Sequence, residues 1–360
     1  MSARGWILGA IGTAVGLGAA GTAVAIARKH RAINRRAGAH IPFGSLRSKP
    51  LTVVADDGVA LHVEVDEVHP PDRSPKRRWG TGQPDVTVVF VHGLCLDLDC
   101  WHFQRAAYRG LVRSVYFDQR SHGRSGRSDR AHATIDQLGR DLKQVIDHVA
   151  SHSPVVLVGH SMGGMSIVAL TEQFPELIGD RVIGVGLIST TAGGLDPSRI
   201  LLPMLPTRLT GRVTRRAVST LQRGHRAVDA ARKAGAAIAA VATDRFAFGD
   251  EVPPELLEFV DKMLSATPFE VVADFFPSFG DLDKFDCVEA LDRVPTSIIC
   301  GSSDKLTSIG HSRKLHQRIA GSRLLECEGA GHLVILERHD QVNAELDQLI
   351  TAATSRAAAR

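Results

Sequence analysis

One serine lies between two glycines in the motif Gly159-His160-Ser161-Met162-Gly163. A serine hydroxyl becomes an effective nucleophile when a neighbouring base takes its proton. The motif follows the apolar run Pro154–Val158 and precedes a segment with helical spacing. A strand–turn–helix of this kind is the context in which G-x-S-x-G forms a nucleophile elbow. The small residues Gly159 and Gly163 are therefore predicted to keep the turn tight and to expose the Ser161 hydroxyl.

A base for Ser161 has to be chosen from sixteen histidines. In proteins with this elbow the acid follows the serine in the chain and the histidine comes last. Asp304 stands just beyond the apolar run Val294–Cys300, and His332 stands just beyond Arg323–Glu326. Taken alone, Asp304 would be interpreted as a turn residue and His332 as a loop histidine. In this order at strand ends they predict a triad, in which Asp304 orients His332 and stabilises its cation.

An oxyanion formed during acyl transfer needs two N–H donors. One is expected from the backbone of Met162, directly after the nucleophile, and the other from the loop after Val86–Val91. The Leu94 N–H is the candidate in that loop, and Gly93 allows the chain to turn there. His92 is interpreted as a hydrogen-bonding residue that supports the loop and carries no proton in the reaction.

The elements that position these residues are apolar strands alternating with amphipathic helices. The segments Leu51–Ala55 and Val59–Val65 flank Asp57-Gly58 and predict a β-hairpin. Short apolar runs follow at 86–91, 114–117, 154–158, 182–188, 296–300 and 323–326. Helical spacing separates several of them, so the pattern predicts an α/β fold with a mostly parallel central sheet and helices on both faces.

The alternation breaks between 191 and 292, where no convincing strand occurs. This region predicts a helical cap inserted into the sheet domain. Eight of the thirteen phenylalanines fall within forty of its residues: Phe246, Phe248, Phe259, Phe269, Phe275, Phe276, Phe279 and Phe285. They predict the cap's own core, with some apolar surface turned to the site. The sheet domain is accordingly assigned to 51–190 and 293–353, and 354–360 is assigned as a tail.

The first fifty residues predict a membrane anchor and a basic linker. Trp6–Ala27 contains no charged residue and is long enough, as a helix, to span the bilayer core. Ala23–Ala25 also fits a signal-peptidase site, so secretion after cleavage is the alternative. The basic cluster at 28–36 favours retention in the cytoplasm. The prediction is a single-pass cell-membrane protein with residues 28–360 on the cytoplasmic side.

Composition excludes several other classes. Residues 1–50 hold eight Lys or Arg and no acid, so the other 310 residues carry 35 basic against 39 acidic side chains. This local basicity does not indicate a nucleic-acid partner, which would require a basic stripe on a folded face. No metal site and no cofactor are expected, and the oligomeric state is left open. Five scattered cysteines predict reduced thiols: Cys95, Cys100, Cys287, Cys300 and Cys327.

Taken together, these motifs resemble the α/β-hydrolase superfamily, in the serine hydrolase branch with a GHSMGG elbow. The likeness covers about residues 51–350 and rests on five landmarks: Val91-His92-Gly93, Asp118–Ser125, Gly159–Gly164, Gly301–Asp304 and Gly329–His332. One departure is Ser121, where the family usually has glycine. It is expected to alter a turn outside the chemistry.

The resemblance implies hydrolysis of a carboxylic ester through an acyl-enzyme on Ser161. The layout of an N-terminal span followed by such a domain is similar to membrane-anchored esterases and monoacylglycerol lipases, which implies a lipid or other apolar acyl ester as substrate. A thioesterase or a carbon–carbon bond hydrolase with the same triad is the alternative within enzymes. A membrane-associated, non-catalytic binding protein with the hydrolase fold is the alternative outside them.

Overall fold

The computed structural model describes residues 42–68, 86–195 and 247–359. Its centre is an eight-stranded sheet in the order β1-β2-β4-β3-β5-β6-β7-β8. The strands are β1 Pro50–Val54, β2 Ala60–Asp66, β3 Thr87–Val91, β4 Arg113–Phe117, β5 Val155–His160, β6 Val182–Ile188, β7 Thr296–Gly301 and β8 Arg323–Cys327. The pairs β1–β2 and β2–β4 are antiparallel and the other pairs are parallel, which confirms the predicted mostly parallel sheet.

Helices cover both faces of this sheet. They are α1 His102–Tyr108, α2 Ile135–Val149, α3 Met162–Gln173, α4 Pro254–Ala266, α5 Phe269–Gly280, α6 Ile309–Arg318, α7 Val334–Glu337 and α8 His339–Ala358. Alternate residues of the buried strand β3 enter different cores. Val89 and Val91 pack with α2 and α3, whereas Val88 and Phe90 pack with α8. A strand buried on both faces explains the unbroken apolar run at this position.

Most strand bounds differ from the sequence prediction by a residue, and two differences are larger. β5 continues two residues beyond Val158, because Gly159 and His160 pair with Leu187 and Ile188 of β6. Residues 354–358, assigned to a tail, continue α8, where Thr354 is buried and its hydroxyl donates to the Ile350 carbonyl.

The helices α4 and α5 lie between β6 and β7, within the region predicted as the cap. The base of the insertion is closed by a β-bridge between Gly193 and Asp283. α5 turns Val271, Phe275 and Phe279 inward, where they are buried. These residues recur at every fourth position, so they form one face of the helix.

A strap of residues 42–49 precedes β1 and crosses the cap side of the domain. Phe43 stacks on Phe259 of α4 with ring centroids 5.0 Å apart. Arg47 forms an ion pair with Asp99, and the Ser48 N–H donates to Glu64 at 2.8 Å.

The predicted span Trp6–Ala27 lies outside the described residues. Within 42–68, 86–195 and 247–359, no helix combines the length and the apolar character needed to cross a bilayer.

Candidate active site

Ser161 occupies the sharp turn between β5 and α3. Its φ of 53° and ψ of −120° are unusual for a residue with a side chain, as expected of a strained elbow. The turn is held from below, because the Ser161 N–H donates to the Ile188 carbonyl at 2.9 Å and the Thr190 hydroxyl donates to the Ser161 carbonyl at 2.7 Å. α3 begins at the next residue, so its N-terminal partial positive charge lies beside the hydroxyl.

The glycines of the elbow are required by close packing. A Cβ on Gly163 would lie 2.1 Å from the Val91 carbonyl oxygen, and one on Gly159 would lie 2.5 Å from the Gly163 oxygen. Contacts this short are impossible for a real Cβ, so any larger residue would push α3 away from the sheet. The elbow thus depends on both glycines that the motif supplies.

The structure brings Ser161, His332 and Asp304 into one chain of hydrogen bonds. His332 Nε2 lies 2.9 Å from Ser161 Oγ, and His332 Nδ1 lies 2.9 Å from Asp304 Oδ2. His332 and Asp304 are 7% and 5% exposed, whereas Ser161 is half-buried. These separations allow a proton to pass from the hydroxyl to the imidazole without rearrangement.

The Asp304 carboxylate is held in its charged form. Burial alone would raise its pKa, but the His332 charge and the hydrogen bonds from His332, Leu306 and Thr307 keep the pKa below its usual value. Asp304 Oδ1 accepts the N–H groups of Leu306 at 2.9 Å and Thr307 at 3.0 Å. Both carboxylate oxygens of Asp304 therefore accept hydrogen bonds, which fixes the orientation of the group.

The loop that carries Leu94 contacts the nucleophile, and Met162 follows Ser161 directly in the chain. A Cβ on Gly93 would be 3.1 Å from the Ser161 Cβ, so the loop backbone touches the serine at this point. Within the described residues, the N–H groups of Leu94 and Met162 have no hydrogen-bond acceptor, which leaves them available to a ligand. His92 lies under the loop: its Nδ1 is 2.8 Å from the Gly93 carbonyl, and its Nε2 accepts the Gln119 N–H at 2.9 Å. Burial lowers the pKa of His92 to about 4, so its ring is neutral at physiological pH.

Apolar side chains adjoin this site. Leu94 and Met162 pack in one cluster with Met165 of α3 and with Phe275 and Phe279 of α5. The side chains of both candidate oxyanion residues therefore belong to an apolar cluster that includes residues of the cap region.

Ser121 retains the left-handed conformation that glycine would adopt, with φ at 66°. Its hydroxyl accepts the Ser128 N–H at 2.9 Å, which ties the turn to the following loop.

Three residues absent from the sequence predictions contact the triad or its loop. Thr307 donates a hydrogen bond from its hydroxyl to Asp304 at 3.0 Å. His160 Nε2 lies 2.9 Å from the His332 carbonyl oxygen, and the Glu337 carboxylate accepts the Gly331 N–H. For Thr307 the sequence offered only an indirect signal, because an aspartate after a strand commonly accepts backbone N–H groups of the next residues and so folds them around its carboxylate. His160 stands inside the elbow motif, but its contact with the His332 carbonyl has no local signal, and neither has the contact of Glu337.

The described residues contain no cluster of His, Cys, Asp or Glu that could hold a metal ion. All five cysteines are described and none forms a disulfide.

The sheet, the elbow and the Ser–His–Asp geometry together define the α/β-hydrolase class. A model of the alpha/beta hydrolase family matches residues 88–345, and the chain belongs to that family. An uncharacterised protein of Mycobacterium tuberculosis is 26% identical over 268 residues, 68% of this chain and 69% of that protein. The dihydrolipoyllysine-residue acetyltransferase component of the acetoin cleaving system of Pseudomonas putida is 26% identical over 265 residues, 74% of this chain and 63% of that protein.

Solved structures with the same fold include two hydrolases. An esterase from Thermogutta terrifontis superposes with a TM-score of 0.66 at 21% identity, covering 85% of this chain and 100% of the esterase. The enol-lactonase from Burkholderia xenovorans superposes with a TM-score of 0.64 at 23% identity, covering 84% of this chain and 100% of that enzyme. At these identities the likeness establishes the fold. The family and its relatives support a hydrolase in general terms.

Proposed function

We propose that this protein is a serine hydrolase that cleaves a carboxylic ester through an acyl-enzyme on Ser161. The observation that carries the proposal is the unbroken chain from Ser161 Oγ through His332 to Asp304, with both links at 2.9 Å. His332 takes the serine proton as the hydroxyl attacks the ester carbonyl, then gives it to the leaving alcohol. The N–H groups of Leu94 and Met162 receive the oxyanion. A water molecule, deprotonated by His332, then attacks the acyl-enzyme in the same way and releases the carboxylic acid and free Ser161.

Covalent labelling with a fluorophosphonate tests this proposal. The wild-type protein should be labelled at Ser161 and should hydrolyse p-nitrophenyl esters, and Ser161→Ala should abolish both while leaving the fold intact. Ser265→Ala, on the exposed end of α4, is the matched control and should behave as wild type. Full labelling of the Ser161→Ala protein at another serine would overturn the assignment. A folded wild-type protein that is neither labelled nor active would favour a non-catalytic binding role.

We further propose a lipid or other apolar acyl ester as substrate. The apolar cluster that contains Leu94, Met162, Phe275 and Phe279 supports this, because an acyl chain bound beside Ser161 would transfer from water to an apolar surface. Phe269, at the start of α5, is 41% exposed, and Val272 and Phe276 on the same side are half-buried. The cap therefore carries apolar surface on its outer side as well.

A chain-length series tests the substrate proposal. From acetyl to octanoyl esters, kcat/KM should rise by up to about tenfold for every two methylenes buried. A flat or falling series would make a small polar ester the better substrate. Parallel thioester and carbon–carbon substrates distinguish the alternative hydrolases, since the same triad could serve them.

The membrane anchor at 6–27 is a separate proposal. It is supported by the uncharged composition of the segment and the basic residues that follow it. In carboxyl-terminal fusions, a cytoplasm-active reporter should work and an export-dependent reporter should not. The opposite result, or a mature N-terminus near Ile26, would identify a signal peptide instead.

A further inference from the structure

The side chain of Thr307 lies beside both the acid and the base of the site. Its hydroxyl oxygen is 3.0 Å from Asp304 Oδ2 and 3.3 Å from His332 Nδ1. Thr307 is 2% exposed, so water does not compete for these contacts. The first distance is that of a good hydrogen bond and the second is long.

The direction of the hydroxyl proton follows from the partners. His332 Nδ1 carries a proton when it faces the Asp304 carboxylate, so it offers Thr307 no lone pair. The Thr307 O–H therefore donates to Asp304 Oδ2, and its own lone pair faces the Nδ1–H. A carboxylate is the stronger acceptor of the two groups, which favours the same direction.

Asp304 Oδ2 thus receives two strong donors, from His332 and from Thr307. The Cys300 thiol, 3.8 Å from the same oxygen, adds a weak contact. Oδ1 is held by the N–H groups of Leu306 and Thr307, and apart from His332 the Thr307 hydroxyl is the shorter of the two side-chain contacts on Oδ2.

We propose that Thr307 is a positioning residue for the His332 base, acting through Asp304. This inference rests on the proposed function, since it assigns a role within the same reaction. The hydroxyl holds the carboxylate in the plane of the imidazole while the Ser161 proton arrives at Nε2. Its lone pair also lies next to the Nδ1–H, whose charge grows as the imidazolium forms. Thr307 forms no bond to the substrate and exchanges no proton with it.

The variants Thr307→Val and Thr307→Ser test this role. Valine keeps the shape and removes the hydroxyl, whereas serine keeps the hydroxyl and removes a methyl group. In Thr307→Val, kcat for an octanoyl ester should fall by about tenfold or more, because a buried charge-assisted hydrogen bond is lost. KM should change by less than about twofold. Thr307→Ser should retain most of the wild-type kcat.

A second readout needs no substrate. The far-downfield proton resonance of the His332 Nδ1–H, identified by its disappearance in His332→Gln, should shift in Thr307→Val and return towards its original position in Thr307→Ser. Thr307→Ala provides the same comparison if the valine protein does not fold. Urea unfolding of each variant confirms that folded proteins are compared.

The outcomes are distinct. Wild-type kcat and an unmoved resonance in Thr307→Val would overturn the proposal, and equal losses in the valine and serine variants would reduce Thr307 to a packing residue. If the wild-type protein shows no Ser161-dependent turnover, the proposed function fails. The resonance then decides alone whether Thr307 orients the Asp304–His332 pair.

Discussion

Asp304→Asn should disable the site without removing a single heavy-atom contact. The asparagine Oδ1 keeps the two backbone N–H donors of Leu306 and Thr307, because only an oxygen can accept them. Its Nδ2 then occupies the position of Oδ2, 2.9 Å from His332 Nδ1. An amide nitrogen donates, so Nδ1 has to give up its proton and become the acceptor. The proton moves to Nε2, which then donates to Ser161 and cannot take the serine proton.

The loss should be about ten-thousandfold in kcat, as expected for a base locked in the wrong tautomer. At about 1.36 kcal/mol per factor of ten, this corresponds to roughly 5.4 kcal/mol in the activation free energy. Steady-state hydrolysis of an octanoyl ester measures kcat, and the rate of fluorophosphonate labelling should fall with it.

Asp286→Asn is the matched control, because this carboxylate is fully exposed at 102% relative accessibility and should leave the kinetics unchanged. A kcat for Asp304→Asn within tenfold of wild type would refute the tautomer reasoning. It would show that another group orients His332.

Two further predictions concern stability. Burial lowers the pKa of four histidines to about 3 or 4: His92, His102, His122 and His160. Burial also raises the pKa of Asp97 and Asp347 to about 7. An unfolded histidine titrates near 6.5 and an unfolded aspartate near 3.9, so below pH 6 the unfolded chain binds about four more protons on the histidines and the native chain about two more on the aspartates. The net difference of about two protons should lower the free energy of unfolding by roughly 3 kcal/mol per pH unit there. Urea unfolding between pH 7 and pH 5 checks this, and a flat profile would contradict it, because it would mean that the native and unfolded chains bind equal numbers of protons. Gly163→Ala should cost at least about 1–3 kcal/mol and reduce kcat, because its Cβ would meet the Val91 carbonyl at 2.1 Å. The control Gly310→Ala, whose nearest neighbour would be 3.7 Å away, should be neutral or slightly stabilising; equal effects of the two changes on the urea midpoint would contradict the packing argument.

Positions at strand ends were the most accessible to sequence reasoning. Ser161, Asp304 and His332 follow three different strands, and parallel strands deliver their carboxyl ends to one edge of a sheet. Their positions directly after these strands were therefore enough to predict that the three side chains meet, as the two distances of 2.9 Å show.

Contacts between distant segments were not accessible in this way. Residues 42–49 were assigned to a linker, because a single phenylalanine followed by glycine and arginine has no periodicity to reveal a docked segment. Phe43 meets Phe259 more than two hundred residues away, and no local pattern encodes that pairing. The same holds for Glu337, whose carboxylate binds the backbone of Gly249 at 2.8 Å across the base of the cap.

The docked strap sets the boundary at which this protein can be shortened for production. A chain begun at Pro50, where the first strand starts, would lose the Ser48 N–H on the buried Glu64 and the Arg47 guanidinium on Asp99. Each hydrogen bond lost from a charged group costs about 1.5–3 kcal/mol, and a typical domain has only about 5–15 kcal/mol of stability to lose. A chain begun at Pro42 keeps these contacts and the Phe43 stack, so it should be more stable than one begun eight residues later, at the point that secondary structure alone would suggest.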